Sequence, residues 1–102
     1  MAENKILLSG FDLEPAERAI AENVINNFSR KIGERSSYDY IKLRLKKSKK
    51  GKKFLHQVGG ELKTNNRRFE AEASDYNLFS VLSDVLEKLL NELTHTLRTA
   101  RQ

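Results

Sequence analysis

YDYIKLRLKKSKKGKKFLHQVGGELKTNNRR, residues 38 to 68, is the stretch that decides the fold, because apolar and polar residues alternate on both sides of a basic segment. Residues 41 to 68 contain eleven lysines and arginines against one acid, a net charge of +10. Residues 1 to 40 and 69 to 102 carry −2 and −3, which leaves +5 for the whole chain. A basic block between acidic segments favours contact with a polyanion.

The alternation in this stretch predicts a β-hairpin. Ile41, Leu43 and Leu45 share one parity and should face a core, whereas the other parity is basic. SKKGKK, residues 48 to 53, has a glycine and no apolar residue, so we expect it to form the hairpin loop. The residues of inward parity on the second strand are Phe54, His56, Val58, Gly60 and Leu62.

A strand and a helix are predicted before the hairpin. KILLS, residues 5 to 9, is a short apolar run closed by a glycine, which is typical of a strand. A helix should begin near Pro15, with Asp12 as its capping acid, and end in a left-handed cap at Gly33. Its expected apolar stripe is Ala16, Ile20, Ala21, Val24, Ile25, Phe28 and Ile32.

A strand and a long helix are predicted after the hairpin. TNNRR, residues 64 to 68, should turn the chain into a strand with Phe69, Ala71 and Ala73 inward. SDYN, residues 74 to 77, offers N-caps for a helix of more than twenty residues that would overhang the sheet. The helix stripe is Leu78, Phe79, Leu82, Val85, Leu86, Leu89, Leu90, Leu93 and Leu97.

These elements predict an α+β fold in a single domain, residues 1 to 102, with the order β-α-β-β-β-α. We expect a two-layer sandwich whose four-stranded sheet carries both helices on one face. The first strand should lie parallel beside the second, through a right-handed crossover. The paired glycines 59 and 60 indicate either a bulge or the close approach of a helix. The other sheet face should expose Tyr40, Lys42, Arg44, Gln57 and Lys63.

Catalysis is not expected from these residues. The chain has no cysteine, two histidines (His56 and His95) and neither a metal-binding spacing nor a glycine-rich phosphate loop. His56 is interpreted as a satisfied histidine of the strand or its rim. We therefore expect no enzyme, cofactor, metal or small-molecule substrate. Without a long apolar run, no membrane association is expected, and a soluble cytoplasmic protein is the expectation.

Nucleic-acid binding agrees better with the placement of the basic residues. Lys42, Arg44 and Lys46 repeat at strand period and lead into the loop lysines, which predicts a basic stripe for phosphates. Tyr38 and Tyr40 beside it would stack on a base or serve only as good strand formers. Alternatively, the lysines only protect a sheet edge or maintain solubility. The predicted RNA-binding residues are Lys42, Arg44, Lys46, Lys47, Lys49, Lys50, Lys52, Lys53, Lys63, Arg67, Arg68, Lys88 and Arg98.

Residues 58 to 98, VGGELKTNNRRFEAEASDYNLFSVLSDVLEKLLNELTHTLR, resemble the ribosome hibernation promoting factors and ribosome-associated inhibitors. That family has a strand, a short turn, a strand with small residues and a capping segment before a long helix like LFSVLSDVLEKLLNEL, residues 78 to 93. The start of the first helix, around Glu14 and Pro15, is similar too. The resemblance extends over nearly the whole chain through a diffuse pattern.

The resemblance implies the β-α-β-β-β-α fold, a likeness to double-stranded-RNA-binding domains, and a stress-response factor on the small ribosomal subunit and its rRNA. Family members lie over the decoding region and exclude messenger and transfer RNA. Their basic pattern on the last helix, K-L-x-R-x-x-x-K, matches Lys88, but Asn91 and His95 stand where Arg and Lys are usual. Arg98 and Arg101 would replace them one turn later, and the hairpin should carry more of the contact.

Three hypotheses follow. The first is a non-enzymatic protein that occupies the small-subunit decoding channel and represses translation, a short form of the family and monomeric when free. The second is a free-standing module that binds structured RNA away from the ribosome. The third is a dimer joined through the exposed sheet face or the long helix, with lysines that serve only solubility.

Overall fold

Six elements make up the part of the chain that the computed structural model describes, residues 5 to 65 and 67 to 100. The predicted order β-α-β-β-β-α and the α+β class are confirmed. The elements are β1 (Lys5–Ser9), α1 (Pro15–Arg35), β2 (Tyr40–Lys50), β3 (Lys53–Lys63), β4 (Arg68–Asp75) and α2 (Leu78–Ala100).

The four strands form one mixed sheet in the order β1-β2-β3-β4. β1 is parallel to β2, as the crossover through α1 predicts, and the other neighbours are antiparallel. The register aligns Ile41 with Leu62 and Leu45 with Val58, which places inward residues of the two strands side by side. The chain then turns at Thr64, whose N–H donates to the Arg67 carbonyl at 2.9 Å; Asn66 lies outside the described residues.

One hydrophobic core lies between the sheet and both helices. Asn77 caps the start of α2: its side-chain oxygen accepts the N–H groups of Phe79 and Ser80, so SDYN does cap the helix. The apolar stripe predicted for α2 is confirmed and also includes Val81. The fully buried side chains are Ile32, Ile41, Leu43, Val58, Leu62, Val81, Leu82, Val85, Leu86 and Leu89.

The stripe predicted for α1 is confirmed from Ala21 to Ile32, where Val24 and Phe28 also pack against the core, and it is wrong at its start. Ala21, Ile25 and Ile32 are buried, whereas Ala16 is exposed and Ile20 is 46% exposed. A row that repeats every four residues advances about 40° around a helix at each step, so it cannot all face one sheet. Together with the partly buried Val24 and Phe28, the core-facing row contains steps of three and four, as a helix stripe must.

Both ends of α1 also differ from the prediction. The N-cap is Glu14 and not Asp12, and it makes no side-chain capping bond; Pro15 supplies the first turn instead. The helix continues through Gly33, whose φ is not positive, to Arg35. It ends where Ser36 becomes extended and its N–H donates to the Ile32 carbonyl at 3.0 Å.

α2 approaches the sheet most closely at Gly60. A Cβ added to Gly60 would lie 2.6 Å from Val85 Cγ1 and 3.1 Å from Leu89 Cδ1. The register of β2 and β3 is continuous through this position, so there is no bulge. Of the two predicted explanations for the paired glycines, close approach by a helix is the correct one.

The hairpin loop is shorter than predicted. β2 and β3 run on to Lys50 and Lys53, and only Gly51 and Lys52 connect them, with Gly51 at φ 66°. Side chains at this end face solvent on both sides of the sheet, so lysines do not interrupt backbone pairing. The prediction of a loop over SKKGKK is therefore wrong.

The longer strands make the hairpin, and not α2, the part that projects. β1 pairs only with residues 40 to 44 of β2, and β4 pairs only with residues 56 to 63 of β3. Residues 46 to 56 are thus a largely two-stranded extension of the sheet, called here the basic ribbon. α2 packs against the core as far as Leu97, while the molecule measures 50 Å in its longest direction.

Candidate nucleic-acid interface

Basic side chains lie on both faces of the basic ribbon and at its turn. Lys42, Arg44 and Lys46 are exposed on the sheet face opposite the helices, as predicted. Strand alternation brings Lys50 to the same face, and Lys53 is its cross-strand partner. The remaining lysines have the opposite parity or lie in the turn: Lys47, Lys49 and Lys52.

The charge of the ribbon lysines is not neutralised by carboxylates. Among the described residues, the ion pairs join Lys63 to Asp39 and Arg68 to Glu70, both at 3.9 Å, and neither involves the ribbon. Lys47 Nζ donates to a backbone carbonyl, that of Asp12, at 3.1 Å. The ribbon therefore presents a positive potential to its surroundings.

The predicted basic residues divide into separate groups. Lys63 and Arg68 are partners across β3 and β4 at the end of the hairpin away from its turn, with Arg67 exposed beside them. Ten residues of strand, about 33 Å at 3.3 Å each, separate Lys63 from Lys53. One continuous stripe does not join them, and Lys63 is already bonded to the Thr64 carbonyl at 2.7 Å.

The sheet face opposite the helices changes from basic to acidic across the strands. Lys42 aligns with Glu61 on β3, and Glu61 with Glu70 on β4. A shallow trough of about 430 Å³ crosses this face over Gly59, with Arg44 on one side and Glu72 on the other. Only the β2 side of the predicted interface is therefore basic.

The exposed surface of α2 is acidic. Lys88 Nζ donates to the carbonyl of Glu72 at 3.1 Å, and the described exposed side chains around it include three acids. Asn91 and His95 are exposed on the same helix, while the side chain of Arg98 and all of Arg101 lie outside the described part. That the hairpin carries more of the contact than α2 stays a prediction. The three acids are Asp84, Glu87 and Glu92.

The two tyrosines beside the basic strand are held by the fold. Tyr38 is only 3% exposed, and burial raises its pKa. The Tyr40 hydroxyl donates to Glu61 Oε2, which raises the pKa of Tyr40, since its ionised form would face a carboxylate. Stacking of Tyr38 on a base is therefore wrong, and Tyr40 serves the sheet through Glu61.

Two other aromatic side chains are exposed beside the ribbon. Phe54 is 51% exposed and Tyr76 is 53% exposed, and Lys53 Nζ lies 5.8 Å from the centre of the Tyr76 ring. His56 Nδ1 donates to the Tyr76 carbonyl at 3.0 Å, so His56 is the satisfied rim histidine that was predicted. Sequence reasoning missed these rings, although an aromatic next to the predicted loop was the available signal.

No group of three or more potential metal-binding side chains occurs in residues 5 to 65 and 67 to 100. In the same part of the chain, no helix is long and apolar enough to span a bilayer.

Fold and surface together define a class: a small α+β domain of β-α-β-β-β-α order with a projecting basic hairpin. No protein-family model and no curated protein matches the sequence. The fold is similar to a ribosomal subunit interface protein from Coxiella burnetii, with 17% identity, a TM-score of 0.65, and coverage of 92% of this chain and 97% of that one. It is also similar to the N-terminal domain of Protein Y from Thermus thermophilus, with 16% identity, a TM-score of 0.56, and coverage of 92% and 99%.

At these identities the likeness is one of fold. The resemblance to the hibernation family, inferred from residues 58 to 98 and the start of α1, is confirmed at that level. The likeness to double-stranded-RNA-binding domains stays a prediction.

Proposed function

We propose that this protein binds the ribosome without being an enzyme, occupies the decoding channel of the small subunit, and represses translation under stress. The supporting observation is a fold shared over 92% of the chain with a protein named for the ribosomal subunit interface, combined with an un-neutralised basic ribbon. A ribosome-bound protein of this kind works in the cytoplasm.

The physical basis of the proposed binding is neutralisation of rRNA phosphates by the lysines of the basic ribbon. Two paired strands lie about 5 Å apart, so the ribbon is much narrower than the four-stranded sheet from which it projects. Each lysine that neutralises a phosphate releases counterions, which makes binding strong at low salt and weak at high salt. A protein that fills the channel excludes messenger and transfer RNA by volume, and needs no reaction to do so.

The uneven charge of the surface would orient the protein on rRNA. The ribbon is basic, while Glu70 and Glu72 on β4 and the exposed acids of α2 would be repelled by phosphates. The ribbon therefore enters first and the α2 side faces away. This orientation differs from one in which basic residues of the last helix make the contact.

Co-sedimentation with purified small and large subunits, at low and raised salt, tests the ribosome as partner. We expect pelleting with small subunits at low salt and release as salt rises. Failure to pellet at either salt would contradict ribosome binding. Inhibition of a cell-free translation reaction is the test of repression.

Competition and concentration distinguish the remaining hypotheses. RNA binding that survives an excess of ribosomes would favour a free-standing module for structured RNA. A sedimentation coefficient that rises with protein concentration would favour the dimer joined through the sheet face or α2. The proposal expects a monomer, with RNA binding titrated away by ribosomes.

A further inference from the structure

A pocket lies on the helix-facing side of the basic ribbon, beyond the hydrophobic core. Phe54 has inward parity, yet it is 51% exposed because the ribbon extends past the helices there. Both helices start at this end of the sheet, since β1 runs parallel to β2 and β4 runs antiparallel to β3. Phe54 and the half-exposed Tyr76 line one concavity here, and adjoining exposed rings of this kind form a candidate binding surface.

The residues around this opening form what we call the tip pocket. Its concavity measures about 480 Å³, within the range of small-ligand sites. Tyr76 is held beside the strand by the bond from His56 Nδ1 to its carbonyl, and Lys53 Nζ approaches its ring. The lining residues are Glu17, Lys47, Lys53, Phe54, His56 and Tyr76.

We propose that the tip pocket binds an unpaired RNA nucleotide, with its base stacked on Phe54 or Tyr76 and its phosphates beside Lys47 and Lys53. This rests on the proposed function, in which RNA is the partner, and adds that single-stranded nucleotides are the part recognised. Bases of a duplex are already stacked on each other, so only an unpaired or flipped base can use these rings.

The chemistry of the pocket favours a nucleotide over an acidic peptide. Half-exposed rings next to lysines match the flat face and the phosphate of one nucleotide, as in single-strand binding proteins. Because the Tyr76 carbonyl only accepts, His56 carries its proton on Nδ1, which leaves Nε2 as an acceptor for a base amino group when the ring is neutral. Glu17, which also lines the pocket, offers further acceptors for a base amino group.

The test measures how tightly the full chain binds a fluorescein-labelled, unstructured 12-nucleotide RNA and its duplex, by anisotropy at several salt concentrations. The variant is Phe54→Ala with Tyr76→Ala. Stacking on aromatic rings contributes about five- to 150-fold per base to affinity, so we expect a loss of at least about fivefold for the single strand. The salt dependence and duplex affinity should stay unchanged, because the lysines remain.

Two control variants test whether a loss of binding is due to the rings of the tip pocket. Phe54→Tyr with Tyr76→Phe keeps both rings and should bind as the original chain does. Leu7→Ala with Ile20→Ala removes two exposed apolar side chains elsewhere, 45% and 46% exposed, and should also leave binding unchanged. Thermal unfolding of each variant confirms that the fold is retained.

Different results would overturn the tip pocket and the proposed function. Undiminished single-strand binding by Phe54→Ala with Tyr76→Ala, or no single-strand binding by the original chain, would overturn the tip pocket even if the protein pellets with ribosomes. An equal loss of binding to deca-glutamate would assign the rings to a polypeptide and also overturn it. Absence of ribosome pelleting with intact, ring-dependent single-strand binding would contradict only the proposed function.

Discussion

The basic ribbon and α2 are both long, regular elements, but they differ in burial and in charge. α2 buries an apolar stripe from Leu78 to Leu93 and exposes acids, so the fold depends on it. The ribbon exposes both faces, and its lysines contact little of the core. The buried core and the un-neutralised positive charge therefore lie in different parts of the protein, so the proposed RNA contact can be removed without loss of stability.

The largest expected effect separates the two regions by stability. Leu86→Ala empties a fully buried site on α2 and should lower the free energy of unfolding by about 2–5 kcal/mol. Phe54→Ala removes a half-exposed ring on the ribbon and should change it by only about 0.5 kcal/mol. Urea denaturation of both variants measures the difference. Equal losses in the free energy of unfolding would contradict the contrast between α2 and the ribbon.

A smaller effect tests how closely α2 approaches the sheet. Gly60→Ala places a methyl group 2.6 Å from Val85 Cγ1, and the overpacking should cost about 1–3 kcal/mol. Gly59→Ala is the matched control, because a Cβ there meets no atom within 4 Å. We expect the control to be neutral or slightly stabilising in the same denaturation experiment. A neutral Gly60→Ala would show that α2 sits further from the strand.

The smallest effect concerns alkaline pH. Burial raises the pKa of Tyr38 above its ordinary value of 10.0, so its contribution to stability is complete below pH 10 and is lost as pH rises through the folded-state pKa. Tyr38→Phe keeps the ring without the ionisation, and should lose less stability between pH 9 and pH 11 than the original chain. Melting temperatures across that range measure it, and parallel losses in both proteins would contradict the role of Tyr38.

Periodic burial made much of this fold predictable from sequence. The parity of β2 and the leucine stripe of α2 record which side faces the core, so the two layers followed from them. The parallel pairing of β1 followed from the handedness of the crossover through α1. Residues 48 to 53 were mistaken for a loop because backbone pairing continues through residues 48 to 50, where the side chains carry no apolar signal. The alternation of apolar and polar residues indicates which side of a strand is buried. It cannot identify a strand that is exposed on both faces.

The basic residues of the candidate site could be predicted from the sequence, but their arrangement in space could not. Lysine spacing identified the basic strand, but strand parity gives only the direction of Phe54, and not whether a helix extends far enough to cover it. Likewise, the charges of Glu61 and Glu70 lie far from Lys42 in sequence, and only the sheet register aligns them with it. Long-range alignment of this kind is absent from a local pattern.

In the proposed function, the ribbon carries the contact with the ribosome. Two variants, each losing three exposed positive charges, compare the ribbon with the far end of α1. They replace with alanine Lys49, Lys50 and Lys52 in one case, and Arg30, Lys31 and Arg35 in the other.

The decisive measurement is co-sedimentation of both variants with small subunits across a salt series, with melting temperatures as a check that both fold. The ribbon variant should be released at lower salt, with a slope of log affinity against log salt reduced by about 0.7–0.9 for each lysine that contacts a phosphate. The α1 variant should bind like the original chain. Equal weakening of the two, or full binding by the ribbon variant, would contradict the account.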